Sequence, residues 1–213
     1  QMCIRDRLIT TIMKDLGLDT KKIKPRSFQS RISSLKNDLT TPEAYAAESE
    51  SSKNEVERTI AKIYTQYQER LQLANAVDFD DLIGLTVMLL RDNPAIREGY
   101  RRRFKHVLVD EYQDTNTAQY QLVRQLVGDN PEADLTVVGD SDQSIYAFRG
   151  ATIRNIVEFE QDFPSARTIV LEQNYRSTQT ILSAANSVIA ANQDRRPKRL
   201  WTCLLYTSPS PRD

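Results

Sequence analysis

Three short apolar runs constrain this chain more than any other feature: HVLV at residues 106–109, LTVV at 135–138 and TIVL at 168–171. Each is too short for a typical helix, rich in β-branched residues, and continuous rather than alternating. That is the pattern of a strand buried on both faces. Each run is followed by a stretch of helical periodicity, at about residues 117–127, 152–159 and 178–191. Strands that alternate with helices are joined by crossovers, which predicts a parallel sheet and an α/β fold. In such sheets ligands gather at the carboxyl ends of strands, and polar clusters follow all three runs here. No internal repeat is visible.

The first third reads as helical. Leu8, Ile9, Ile12 and Leu16 keep helical spacing up to Gly17, a natural stop. A second short helix is predicted over residues 27–39, ended near Pro42. Residues 41–54, rich in Ala, Glu and Ser, read as an exposed connection. A long amphipathic helix is predicted over residues 55–76, with Val56, Ile60, Ile63, Tyr67 and Leu71 on one face. Tyr64 and Tyr67 are read as core or interface packing. A helix over residues 80–91 is expected to turn Leu82, Ile83, Leu89 and Leu90 inward and to stop at Asn93-Pro94. The expected whole is an all-helical N-terminal region followed by an incomplete parallel sheet flanked by helices.

Hydrophobic residues make up 39% and charged residues 27% of the 213, ordinary for a globular chain. Lys+Arg and Asp+Glu are both 29, so a nucleic-acid contact would need a local basic groove. No run reaches membrane-span length, and no apolar segment follows the polar start as a signal peptide would require. Cys3 and Cys203 provide neither metal-ligand spacing nor a disulfide framework. A reducing, cytoplasmic setting fits.

The first polar cluster is VLVDEYQD at residues 107–114. Its strand delivers two adjacent carboxylates, Asp110 and Glu111, to the sheet edge. In nucleotide-driven motors the first carboxylate holds Mg²⁺, directly or through water, because a hard cation takes oxygen ligands. The second orients and deprotonates the attacking water. An acidic loop capping the next helix has the same pattern, so this cluster alone does not decide. The second cluster is VVGDSDQSIYAFRG at 137–150. Gln143 is suited to sense a terminal phosphate as an uncharged hydrogen-bond partner. Tyr146 and Phe148 offer flat faces to bases, and Arg149 a cation beside them; Phe148 taken alone is more simply a core residue. The third is LEQNYRST at 171–178. Ser177 or Thr178 is placed to cap the next helix, and Arg176 either to reach a phosphate or to sit on the surface.

Together these clusters resemble those of a known family. DEYQDTN at 110–116, VVGDSDQSIYAFRGA at 137–151 and LEQNYRST at 171–178 are similar to motifs II, III and IV of the UvrD/PcrA/Rep helicases of superfamily 1. VDFDDLI at 77–83 resembles the segment preceding motif II, order and spacing fit, and the resemblance runs from about Leu8 to Thr202. It implies ATP hydrolysis, with Mg²⁺, driving 3′-to-5′ movement on single-stranded DNA and unwinding at ss/dsDNA junctions, in repair or replication, at the nucleoid. By the same resemblance Asp110 is the Mg²⁺-associated carboxylate and Glu111 the catalytic base. Gln143 contacts the γ-phosphate and couples hydrolysis to DNA. Tyr175 stacks on adenine, Arg176 acts as an arginine finger, and Tyr146, Phe148 and Arg149 line the single-stranded DNA path. Many relatives carry tryptophan where Phe148 stands; phenylalanine stacks with less surface. The implied domains are a helical 1B-like insertion over residues 8–76, part of a RecA-like motor domain 1A over 77–173, and the start of motor domain 2A over 174–202.

The six glycines are scattered and no Gly-Lys dipeptide occurs, so no phosphate-cradling P-loop is present in these 213 residues. The family places that loop upstream, and the 2B insertion and motifs V and VI downstream. Residues 1–7 and 203–213 match nothing expected there and read as sequence foreign to the gene, so both cysteines carry no functional weight. Within the enzyme class, a helicase–nuclease subunit shares these motifs. A non-catalytic DNA- or partner-binding descendant is the rival from another class, and intact Asp110, Glu111, Gln143 and Arg176 argue against it. Arg101, Arg102 and Arg103 are read as a solvated basic turn, His106 as structural, and Arg195, Arg196, Lys198 and Arg199 as a basic surface loop.

Overall fold

The computed structural model describes residues 2–19, 24–128, 134–143, 159–190 and 198–205. Helix-forming sequence dominates it, with one small parallel sheet. Helices α1 (Met2–Asp15), α2 (Pro25–Asn37), α3 (Pro42–Glu50) and α4 (Glu55–Leu73) pack together first. Their shared core includes Ile9, Ile12, Phe28, Ile32, Ile63 and Tyr67. Side chains of this size contribute about 1.5–3 kcal/mol each on full burial, so this cluster is the principal stabilising unit. Tyr64 and Tyr67 both lie in it, as predicted. Each hydroxyl is satisfied: Tyr64 donates to the Thr40 carbonyl at 3.0 Å and Tyr67 to Asp78 Oδ2 at 2.9 Å. Gly17 ends α1 with φ +71°, a conformation that favours glycine. Val56, expected on the buried face of α4, is exposed.

Residues 41–54 are not a plain connection, because α3 occupies most of them. Thr41 accepts the Ala44 N–H at 3.2 Å, Pro42 takes the first helical turn, and Tyr45 is buried. The basic turn expected at Arg101–Arg103 is likewise helical, being the last turn of α6 (Pro94–Arg103). Cations at that end complement the helix dipole.

Helix α5 (Phe79–Asp92) begins with a capping box: Asp78 Oδ1 accepts the Asp81 N–H at 2.9 Å, and Asp81 Oδ2 accepts the Asp78 N–H at 3.2 Å. Its buried face holds Asp81, Gly84, Val87 and Leu90. Leu82 and Leu89, expected inward, are 56% and 47% exposed. The helix packs on α2, α6 and α7 instead, and Lys36 of α2 pairs with Asp78 and Asp81 at its N-terminal end.

Strand β1 (His106–Val109) pairs in parallel with β2 (Asp134–Val137), His106 opposite Asp134 and Val109 opposite Val137. Helix α7 (Thr117–Val127), with its own Asn116–Gln119 capping box, makes the crossover. The predicted parallel strand–helix–strand unit is therefore present. Two expectations fail. Both strands alternate between exposed and half-buried rather than being buried on both faces, because no helix of the described residues covers the side where Leu108 is 77% exposed. Residues 168–171 form no strand and expose Ile169, Val170 and Leu171. They lack a neighbouring strand among the described residues, and only Gln173 makes a single bridge, with Trp201. Of the helix expected at 152–159, residues 152–158 lie outside the described residues; a short turn, α8 (Phe159–Asp162), is seen. Helix α9 (Gln179–Ile189) matches the last expectation within two residues. Thr178 is its N-cap by position but contributes no side-chain cap. No described helix is long and apolar enough to cross a membrane.

Candidate active site

The site is built where β1 and β2 end side by side. Pairing continues past the strands: Val138 N–H donates to the Val109 carbonyl at 2.8 Å, and Tyr112 N–H donates to the Val138 carbonyl at 2.9 Å. This holds the DEYQD and GDSDQ loops against each other. Asp110 leaves β1 exposed, and its Oδ1 accepts the Glu111 N–H at 2.9 Å. Glu111 itself has φ 48° and ψ 43°. This left-handed conformation is uncommon outside glycine and costs a non-glycine residue on the order of 1–3 kcal/mol, a strain that clusters at functional positions.

Gln113, only 1% exposed, ties the two loops together. Its Nε2 donates to Glu111 Oε2 at 2.8 Å, and its Oε1 accepts the Asp140 N–H at 2.9 Å. On the second loop Gln143 is exposed, and its Nε2 donates to Asp140 Oδ2 at 2.7 Å. Asp140 Oδ1 accepts the Asp142 N–H at 3.0 Å and a hydrogen bond from Lys198 Nζ. Burial pushes the Asp140 carboxyl up, but the hydrogen bonds from Lys198, Gln143 and the Asp142 N–H outweigh it. Together they hold the carboxyl below its ordinary range.

Asp110, Glu111 and Gln143 are thus brought to one edge of the sheet. Tyr175 and Arg176 stand apart from them, exposed, on the turn before α9. Asn174 Oδ1 fixes that turn by accepting the N–H groups of Arg176 at 2.8 Å and Ser177 at 2.7 Å. Among the described residues no hydrogen bond or ion pair joins Arg176 to Asp110, Glu111 or Gln143. Tyr146, Phe148 and Arg149 lie outside the described residues. Sequence reasoning missed Gln113 and Lys198, whose partners are 27 and 58 residues away in the chain. The one available signal was that Gln113 stands between the Asp110-Glu111 pair and Asp114 of its motif.

The donor set suits a hard cation: an exposed carboxylate at Asp110, with one oxygen already engaged by a backbone N–H. No described cluster of three or more His, Cys, Asp or Glu could hold a metal by itself. An ion here would therefore share its coordination with substrate phosphates and water, as Mg²⁺ commonly does.

A parallel strand pair carries Asp-Glu and Gly-Asp-x-Asp-Gln at adjacent ends, and the chain belongs to the UvrD/REP helicase N-terminal domain family, whose model matches residues 4–164. It is 60% identical over 201 residues to the ATP-dependent DNA helicase UvrD1 of Mycobacterium tuberculosis, covering 92% of this chain and 26% of that protein. It is 59% identical over 203 residues to UvrD1 of Mycobacterium leprae, covering 92% of the chain and 26% of that protein. The ATP-dependent DNA helicase PcrA of Leuconostoc citreum is 48% identical over 195 residues, covering 92% and 25%. The chain thus spans about a quarter of the length of these curated relatives.

Proposed function

We propose that this chain is the central part of an ATP-dependent DNA helicase, which couples ATP hydrolysis to 3′-to-5′ movement along single-stranded DNA and to unwinding at ss/dsDNA junctions, in repair or replication. The observation that carries this reading is the buried Gln113 amide, which joins the Glu111 carboxylate to the Asp140 backbone. A non-catalytic binding module has no need of such a registration between a base and a phosphate-sensing loop. Residues 8–76 correspond to the 1B-like insertion, residues 77–173 to part of the RecA-like domain 1A, and residues from 174 to the start of domain 2A.

Mg²⁺, when bound, neutralises phosphate charge and polarises the γ-phosphoryl group. The chain's own residues do the rest. Asp110 presents carboxylate oxygen to the ion. Glu111 Oε2 accepts from Gln113, which fixes the carboxylate that orients a water and takes its proton. Gln143 exchanges Asp140 for a terminal phosphate oxygen, and Arg176 approaches the developing charge from the other side of the nucleotide. Tyr175 stacks on the adenine, and Tyr146, Phe148 and Arg149 contact DNA bases and backbone.

The test is Glu111→Gln in the full-length protein. The amide keeps the shape but cannot accept the water's proton. ATP and DNA binding should persist while DNA-stimulated phosphate release is lost. Near-normal turnover would remove Glu111 from this role.

A further inference from the structure

Lys198 lies between the two halves of the proposed site. Its Nζ hydrogen-bonds to Asp140 Oδ1 and stands 3.4 Å from Asp142 Oδ2, a buried oxygen that takes no hydrogen bond. The short segment that carries Lys198 is pinned beside the third motif. Arg199 N–H donates to Glu172 Oε1 at 2.9 Å, Trp201 N–H to the Glu172 carbonyl at 3.0 Å, and Asn174 N–H to the Trp201 carbonyl at 2.8 Å. Asn174 is the residue whose side chain fixes the Arg176 turn. A continuous series of bonds therefore runs from Gln143 through Asp140, Lys198, Trp201 and Asn174 to Arg176.

Resting on the function proposed above, we infer that Lys198 is a positioning residue that couples the Gln143 loop to the Arg176 turn. Asp140 divides its carboxylate between the two: Oδ2 holds the Gln143 amide, and Oδ1 holds the Lys198 ammonium. When Gln143 leaves for a phosphate, Lys198 keeps the Asp140 and Asp142 carboxylates compensated, so release of the amide strands no charge. The same ammonium keeps the 198–202 segment, and with it the Arg176 turn, at the loop that has just moved. Without Lys198, Gln143 is the principal side chain left to satisfy Asp140 and is held back from the phosphate.

The experiment is steady-state phosphate release by the full-length protein with and without single-stranded DNA, for wild type, Lys198→Met and Lys198→Arg, with melting midpoints measured in parallel. For Lys198→Met the ratio of DNA-saturated to DNA-free turnover should fall about tenfold or more, the weight of one charge-assisted hydrogen bond. Lys198→Arg should restore most of that ratio. If Lys198→Met melts early, Lys198→Gln is read at a temperature well below its own midpoint. An unchanged ratio in a folded variant overturns the inference, as does a loss of turnover equal with and without DNA. Failure of the underlying function is separately visible: wild type would release no phosphate, or Glu111→Gln would still release it.

Discussion

Replacing Lys36 by methionine removes the cation from the most buried charge cluster among the described residues. Lys36 Nζ lies 2.8 Å from Asp78 Oδ2 and 2.8 Å from Asp81 Oδ1, with side-chain exposures of 4%, 2% and 7%. Methionine fills similar volume, so packing is conserved and the change is electrostatic. Removing one partner of a buried pair costs about 3–5 kcal/mol, because the remaining charge is stranded. Arg5, 3.5 Å from Asp78 Oδ2, compensates in part, which places the expected loss near the low end, about 3 kcal/mol. At roughly 2–4 °C per kcal/mol for a chain of this size, the melting midpoint should drop by roughly 6–12 °C. Acid offers an independent check. Burial pushes the Asp78 carboxyl up, but the attraction and hydrogen bond of Lys36, the hydrogen bond from the Asp81 backbone and the attraction of Arg5 outweigh it and lower it below the ordinary 3.8. A lowered folded value means that this stabilisation is complete above 3.8 and is lost as pH falls through the folded value. In Lys36→Met, burial acts with less opposition, so protonation relieves the variant. The gap between wild type and variant should therefore narrow as pH falls from 7 into the carboxylate range. Urea denaturation at pH 7 and at about pH 4 measures both effects. A pH 7 difference below about 1 kcal/mol would refute the reasoning, since it would assign this cluster the weight of a surface pair. The triple variant Lys36→Met/Asp78→Asn/Asp81→Asn should recover much of the loss, because asparagine still caps a helix.

Arg176→Ala in the full-length protein should slow hydrolysis by roughly 10³–10⁵ while ATP affinity falls far less; equal losses in both, measured by turnover and nucleotide titration, would count against an arginine-finger role. The 213-residue chain by itself should release no phosphate from Mg-ATP, with or without single-stranded DNA, because it contains no Gly-Lys loop to cradle phosphates. DNA-stimulated release abolished by Glu111→Gln would overturn that expectation.

Local pattern sufficed wherever a helix or strand is decided by its own residues. The periodicity of Ile9 and Ile12, the Gly17 stop, the face of Ile63 and Tyr67, and the parallel unit of β1, α7 and β2 all follow from it. It failed where a partner decides. Helix α3 was masked by its Ala/Glu/Ser composition, although Thr41-Pro42 is a start signal and Tyr45 supplies the buried anchor. The inward face of α5 includes Asp81, bonded to Lys36 from 45 residues away, as well as Leu90, whereas Leu82 and Leu89 of the leucine stripe that periodicity favours stay exposed. Residues 168–171 have strand composition, but a strand also needs a neighbour. The same holds for the site. The placement of Asp110, Glu111 and Gln143 just beyond strand ends was legible from the strand pattern, whereas Gln113 and Lys198 make tertiary contacts that no spacing encodes.

The Gln113 link has a mechanical consequence. A carboxamide is polar end to end, offering a donor on one side and an acceptor on the other, and Gln113 uses each toward a different loop. Rotating it by half a turn would set its donor against the Asp140 N–H and its acceptor against the Glu111 carboxylate, so the link has one admissible orientation. Sliding the second loop away from the first would leave a fully enclosed amide group unmatched, at about 1–3 kcal/mol. The link therefore acts as a rigid strut rather than a spring. While both bonds hold, a displacement of the Asp140 backbone is passed through Gln113 to the Glu111 carboxylate.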